Sequence, residues 1–206
     1  GPSVSRLVPH VKDTAKILYK IYIFITVTEI ILLCAFGMPL FDSLTLSFGT
    51  VGTGGFGILN SSIADYSPAL QIIITIFMIL SGVNYVAYFY LTTRQIKEIF
   101  HVEEIRVYFG VILASSIFIA FNIRSLYPTL GECFRHAFFQ VGSIITTTGY
   151  ATTDFDLWPE VSKTILVLLM IIGACAGSTG GGLKISRLLI LCKSIPKQLS
   201  LVIHPR

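Results

Sequence analysis

Charge is scarce in this chain. Only 13% of its 206 residues are Asp, Glu, Lys or Arg, where a soluble domain carries roughly 25%. With 53% of residues hydrophobic, that deficit excludes an ordinary water-facing surface and points to lipid as the solvent. The net charge of +4 is too small to argue for a nucleic-acid partner. Cys34, Cys133, Cys175 and Cys192 form no Cys-x-x-Cys pair and read as small apolar packing residues. His10, His101, His136 and His204 have no metal-ligand spacing, and no nucleophile–base pair stands out. Catalysis and an organic cofactor are therefore not expected. The sequence opens without Met, and its polar, basic start is not expected to be a cleavable signal peptide. The opening Gly1-Pro2 reads as a protease scar or as the start of an internal piece of a longer protein.

Long apolar runs are abundant. One covers 21–36 and extends back through Ile17, reaching the about 20 residues that cross a bilayer core. Others cover 69–91, 107–123 and 165–176. Glu29 lies inside the first run, where a carboxylate is unfavourable. Either a functional role or a hydrogen bond to a neighbouring helix accounts for it. Ser81 and Asn84 in the second run read as helix–helix hydrogen-bonding groups.

Two segments of another kind lie between the runs. Residues 47–57, Ser-Phe-Gly-Thr-Val-Gly-Thr-Gly-Gly-Phe-Gly, and 143–153, Ser-Ile-Ile-Thr-Thr-Thr-Gly-Tyr-Ala-Thr-Thr, read as short extended loops. The first is too rich in glycine for a helix, and in both the backbone carbonyls are the available ligands. Inside a membrane, irregular backbone is tolerated only where it is buried in protein or lines a cavity. Rings of carbonyls from Thr/Gly loops are how cation filters replace an ion's hydration shell. Each loop follows a stretch too short to span, 40–48 and 131–143. These are expected to be re-entrant half helices whose C-termini aim partial negative charge at a cation.

The unit of span, half helix, Thr/Gly loop and span thus occurs twice, as internal repeats often do in transport proteins. Aligning Phe56 with Tyr150 places Gly55 on Gly149 and Thr53 on Thr147, an offset of 94. Ser47-Phe48 align with Ala137-Phe138 at an offset of 90, so the second half helix should be longer by about one turn. The expected fold is an all-α polytopic membrane protein. A cytoplasmic lead-in (1–20) precedes the first membrane–pore–membrane repeat (21–93), a cytoplasmic linker (94–106), the second repeat (107–195) and a cytoplasmic tail (196–206).

Orientation follows from the basic residues. The lead-in holds four Lys/Arg, the linker three and residues 184–206 five, while 37–68 hold none and 122–163 hold three, Arg124, Arg135 and Lys163. The positive-inside rule puts both ends and the linker on the cytoplasmic side. The filters then open outward beside Asp42, Asp65, Glu132, Asp154, Asp156 and Glu160, an acidic vestibule that would concentrate cations.

The last span is interrupted by Gly-Ala-Cys-Ala-Gly-Ser-Thr-Gly-Gly-Gly at 173–182. Consecutive glycines break a helix, and this loop can line the pathway below the filter as a movable gate. A phosphate-cradling loop is disfavoured, because Leu183 stands where that motif needs Lys. Lys184 and Arg187 read as cytoplasmic-side anchors. Asn60-Ser61-Ser62 matches a glycosylation sequon of the kind that arises by chance.

With these residues in view, the chain resembles the Trk/Ktr/HKT superfamily of potassium transporters, most specifically its TrkH/TrkG branch. The resemblance rests on 47–57, 144–155 and above all 173–184, with the closing Leu-Val-Ile-His-Pro-Arg at 201–206. It implies four span–half helix–span repeats around one potassium pathway, of which this chain resembles the second and third. Gly55 and Gly149 would be filter glycines, and Thr53, Gly54, Thr147 and Thr148 would supply neighbouring carbonyls to potassium. Gly177, Ser178, Thr179, Gly180, Gly181 and Gly182 would form an intramembrane gating loop. The resemblance further implies a homodimer and a cytosolic nucleotide-binding regulatory subunit of the TrkA type. Two loops cannot enclose a four-sided filter. The remaining two repeats, or a second copy of this chain, are needed, and a non-conducting scaffold is the alternative reading.

Overall fold

A computed structural model describes residues 11–203, with side chains from 15 to 196. The expectations for Gly1, Pro2, Arg6, His10, His204 and Arg206 lie outside the described residues, as do residues 204–206 of the closing motif.

Helix α1 (Val11–Ala35) is long and apolar enough to cross a membrane. It begins inside the polar lead-in, ten residues before the apolar run. Gly37, at φ +96°, ends it in a left-handed turn that glycine adopts without steric penalty. Met38 N–H donates to Leu33 C=O at 3.0 Å, satisfying an orphan carbonyl of the last turn. The chain then reverses into α2 (Leu40–Val51).

Helix α3 (Pro68–Ser81) should continue through the run 69–91, yet it stops and α4 (Tyr85–Thr92) leaves at 93°. The predicted single span is corrected to a bent pair, and the reason is tertiary. Gly82 C=O accepts from Cys175 N–H at 3.0 Å, and Tyr85 N–H donates to Gly177 C=O at 3.1 Å. Tyr108 donates to Ile79 C=O at 2.8 Å. Backbone groups freed by the bend are thus taken by the glycine loop and by a facing helix. Among the described residues Asn84 makes no helix–helix bond through its side chain. Its side chain accepts Val86 N–H at 2.9 Å and caps α4, while Ser81 bonds within its own helix to Phe77 C=O. Asn84→Ala should lower stability by about 1 kcal/mol, as loss of an N-cap does, and thermal melting of the purified protein checks it.

Residues 94–106 are mostly helical, in α5 (Ile96–His101) and the first turn of α6 (Glu103–Asn122), a second crossing-length helix. Helix α7 (Leu130–Ile145) repeats α2, and α8 (Glu160–Ile172) and α9 (Ile185–Ile203) flank the glycine loop. Among the described residues the fold is all helical, and the chain is a membrane protein.

Both half helices run further into the Thr/Gly stretches than expected. Helix α2 reaches Val51 and α7 reaches Ile145, with 12 and 16 residues. Gly49 and Thr50 are therefore helical despite the glycine content. The four-residue excess of α7 lies at its N-terminal end, so the two helices end in the same register. At about 1.5 Å per residue neither can span.

The core is shared between the repeats. Leu33, Leu46, Ile63 and Met78 of the first pack with Phe139 and Tyr150 of the second, all buried. The flanks are apolar and exposed, as at Phe24, Ile31 and Phe41, the reverse of a water-soluble surface.

Candidate functional site

The two Thr/Gly loops have one backbone design. Thr53 N–H donates to Thr50 C=O at 3.1 Å, and Thr147 N–H to Ile144 C=O at 3.0 Å. Gly54 and Gly55 N–H both converge on Gly49 C=O, at 2.8 and 3.1 Å. Thr148 and Gly149 N–H converge likewise on Ser143 C=O, at 2.9 and 3.3 Å. Positive φ recurs at Thr53 (+51°), Gly55 (+69°), Thr147 (+59°) and Gly149 (+93°). The repeat offset of 94 is thus reproduced bond by bond.

This pairing fixes where the carbonyls point. In a planar trans peptide the C=O lies opposite the N–H. Because the amides of 54 and 55 face the end of α2, the carbonyls of Thr53 and Gly54 face away from it. By the same geometry, the carbonyls of Thr147 and Thr148 face away from α7. The loops also touch each other. A Cβ placed on Gly55 would overlap the Thr148 carbonyl, whereas one on Gly149 would meet nothing within 4 Å.

Tyr150 locks the second loop to the first repeat. It is buried, and its hydroxyl donates to Leu46 C=O at 3.1 Å. Ile63 N–H donates to Ala151 C=O at 3.0 Å, and Ala151 N–H to the Ser62 hydroxyl at 3.1 Å. Tyr150→Phe should cost about 1 kcal/mol of stability, the net value of one such bond, read as a lower melting temperature.

The glycine loop 173–184 packs against the first residues of both Thr/Gly loops. The Thr53 hydroxyl donates to Thr179 C=O at 2.9 Å, and Gly181 N–H donates to the Thr147 hydroxyl at 2.7 Å. The Thr179 hydroxyl donates to Val51 C=O at 2.8 Å, with Ser81 C=O at 3.2 Å. Ser178 closes a turn on Cys175 C=O at 2.6 Å. Gly177, Gly180 and Gly182 complete the loop, with positive φ at Gly177 and Gly182. The feet of the loop share one acceptor: Glu104 Oε1 takes Ala176 N–H at 2.6 Å and Ser186 N–H at 3.2 Å. Lys184 is not an outward-reaching anchor, since its ammonium folds back onto Gly180 C=O. Glu104 was not legible as a site residue; it sits in a charged linker and nothing in its spacing sets it apart.

A family model described as TrkH, cation transport protein, matches residues 5–206. The chain belongs to the TrkH family. It is 36% identical to the Trk system potassium uptake protein TrkH of Salmonella typhimurium over 205 residues, covering 98% of this chain and 42% of that protein. Against the Trk system potassium uptake protein TrkG of Escherichia coli it is 32% identical over 205 residues, with coverage of 98% and 42%. The crystal structure of the potassium transporter TrkH from Vibrio parahaemolyticus superposes with a TM-score of 0.88 at 30% identity, covering 98% of this chain and 45% of that one. The chain therefore spans less than half the length of these relatives.

Two further features of this TrkH-family chain lie around the Thr/Gly loops. Glu29 is fully buried in α1, and neither carboxylate oxygen has a hydrogen-bond partner. The Thr50 hydroxyl lies beside it and donates to Leu46 C=O at 2.7 Å. On the side away from the glycine loop, the acidic residues are largely engaged. Asp42 accepts from Tyr66 at 2.8 Å and Asp65 from Ser61 at 2.6 Å. Asp154 caps a short turn at Asp156 N–H. Lys163 pairs with Glu160 at 2.8 Å and with Asp156 at 3.8 Å, and the Glu160 contact raises its pKa. Burial, followed by the Asp42 hydrogen bond and charge, pushes the Tyr66 phenol up to about 12. Among the described residues no cluster of His, Cys, Asp and Glu could hold a metal ion.

Proposed function

We propose that this chain supplies two of the four sides of a potassium-uptake pathway. The observation that carries this is the duplicated loop in which the carbonyls of Thr53, Gly54, Thr147 and Thr148 turn away from two helix C-termini. Such oxygens replace the hydration shell of a monovalent cation, and the helix ends add partial negative charge. Gly55 and Gly149 permit the left-handed turns, and the loop Gly177–Gly182 closes the inner mouth. Similarity to relatives named as potassium uptake proteins supports potassium as the cargo.

The remaining two repeats complete the ring, and the working transporter is a homodimer with a cytosolic nucleotide-binding regulatory subunit of the TrkA type. The term "Trk system" in the relatives' names supports partner subunits. Both ends face the cytoplasm of the bacterial inner membrane, which the basic lead-in, linker and tail support. The ion pair between Lys193 of α9 and Glu103 of α6 sets two of those basic segments side by side.

Potassium-limited growth of a strain lacking potassium uptake tests the reading. The full-length transporter should restore growth, and the 206-residue piece should not. Growth restored by the short piece would mean that two-repeat chains associate into a complete pathway. Restoration by neither would leave the scaffold reading.

A further inference from the structure

The hydroxyls of Thr53 and Thr147 stand near the start of the two Thr/Gly loops, and both are bonded to the glycine loop. We propose that these hydroxyls, with the carbonyls beside them, form an innermost cation site that the glycine loop and a potassium ion cannot occupy together. Potassium entering from the filter therefore favours the open loop. This inference rests on the filter reading above and adds a rule for its regulation.

Three observations make the two states exclusive. The first is space. A Cβ on Gly181 would lie 3.0 Å from Thr147 Oγ1, and one on Gly180 would lie 3.1 Å from Thr146 C=O. The loop backbone is thus in contact with the filter's inner rim and leaves no room for an ion between them.

The second is lone-pair direction. Gly181 N–H points its positive end at Thr147 Oγ1 across 2.7 Å. The lone pair that accepts this bond is directed at the loop and is not available to a cation. When the loop withdraws, the lone pair is exposed to the pathway, and the Thr53 hydroxyl loses its acceptor at Thr179 C=O. A hydroxyl oxygen and the adjacent carbonyls then form a ligand set suited to a weakly hydrated monovalent cation.

The third is charge. The Lys184 ammonium is bonded to Gly180 C=O, which gives the loop a positive charge of its own beneath the filter. That charge opposes a second cation above it until the loop moves, carrying Lys184 with it. Thr179 completes the latch by donating to Val51 C=O at the end of α2.

Linkage then runs in both directions. If an open loop raises potassium affinity at the inner site, potassium must stabilise the open loop by the same factor. Sodium, which the filter discriminates against, should do so less.

Hydrogen exchange of amides 176–182 in the full-length transporter in lipid nanodiscs reads the loop without altering it. At constant ionic strength, replacing sodium by potassium should accelerate exchange of this segment by about tenfold, within the usual range of coupling between sites. In Thr147→Val the shared oxygen is gone, so exchange should be fast in both salts. Thr147→Ser, which keeps the hydroxyl, should restore the potassium dependence. Exchange in the unaltered protein that ignores potassium would overturn the proposal, as would a Thr147→Val protein that keeps the potassium dependence. Potassium binding measured on the same samples separates the two readings. Binding retained with exchange unchanged sinks the coupling alone, and no selective binding sinks the filter assignment beneath it.

Discussion

Gly55→Ser should abolish most of the potassium-over-sodium preference of the full-length transporter. Two independent effects act at this residue. Its φ of +69° is left-handed, which costs an L-residue about 1–2 kcal/mol. Its missing Cβ would also overlap the Thr148 carbonyl of the neighbouring loop, so the substitution displaces an oxygen proposed to touch the ion. A fall in selectivity of roughly tenfold needs only about 1.4 kcal/mol, less than the two effects together supply. Gly149→Ser carries the torsional part alone within this chain, because nothing lies within 4 Å of its Cβ position. Its effect should be the smaller. Competition of sodium against rubidium uptake in vesicles measures both, and unchanged selectivity in both variants would falsify the filter assignment.

A comparable loss of control is expected at the neck of the glycine loop. Gly173 and Gly182 cross almost atom on atom: a Cβ on Gly182 would sit 2.6 Å from Gly173 Cα, and both residues have positive φ. Gly182→Val adds a branched side chain where even a methyl group cannot fit. Backbone strain of this kind costs on the order of 1–3 kcal/mol, and here the crossing backbone has no flexible side chain to yield. The loop should lose its seat against Thr53 and Thr147. The expected result is cation leak into vesicles without the regulatory subunit, together with a lowered melting temperature. Gly110→Ala serves as the control, since it lies within α6 with nothing within 4 Å of its Cβ position. A tight Gly182→Val transporter with unaltered stability would show that the neck is not what holds the loop.

Much of this architecture was legible because its signals are local. Apolar length marked the crossing helices, and the Thr/Gly composition of 47–57 and 143–153 marked the loops, although their first residues prove helical as far as Val51 and Ile145. The one-turn difference between α2 and α7 followed from two offsets in the alignment of the repeats. What stayed hidden depends on partners far away in sequence. The 93° bend between α3 and α4 falls within an unbroken apolar run, and its freed groups are taken by Cys175 and Gly177. Asn84 reads as a helix–helix donor until its capping bond is seen. Lys184 reads as an anchor because sequence cannot show a side chain folding back onto Gly180. Helix α2 continues through Gly49 and Thr50 because tertiary packing outweighs the weak propensity of single residues.

The bond between Tyr150 and Leu46 has a consequence in time. It joins residues 104 positions apart, and the Thr179–Val51 bond joins residues 128 apart. At synthesis rates of roughly 5–20 residues per second, α2 waits several seconds for Tyr150 and longer for Thr179. During that interval the first loop has neither its buttress nor its plug. The first loop therefore cannot reach its final packing until the second repeat has been made.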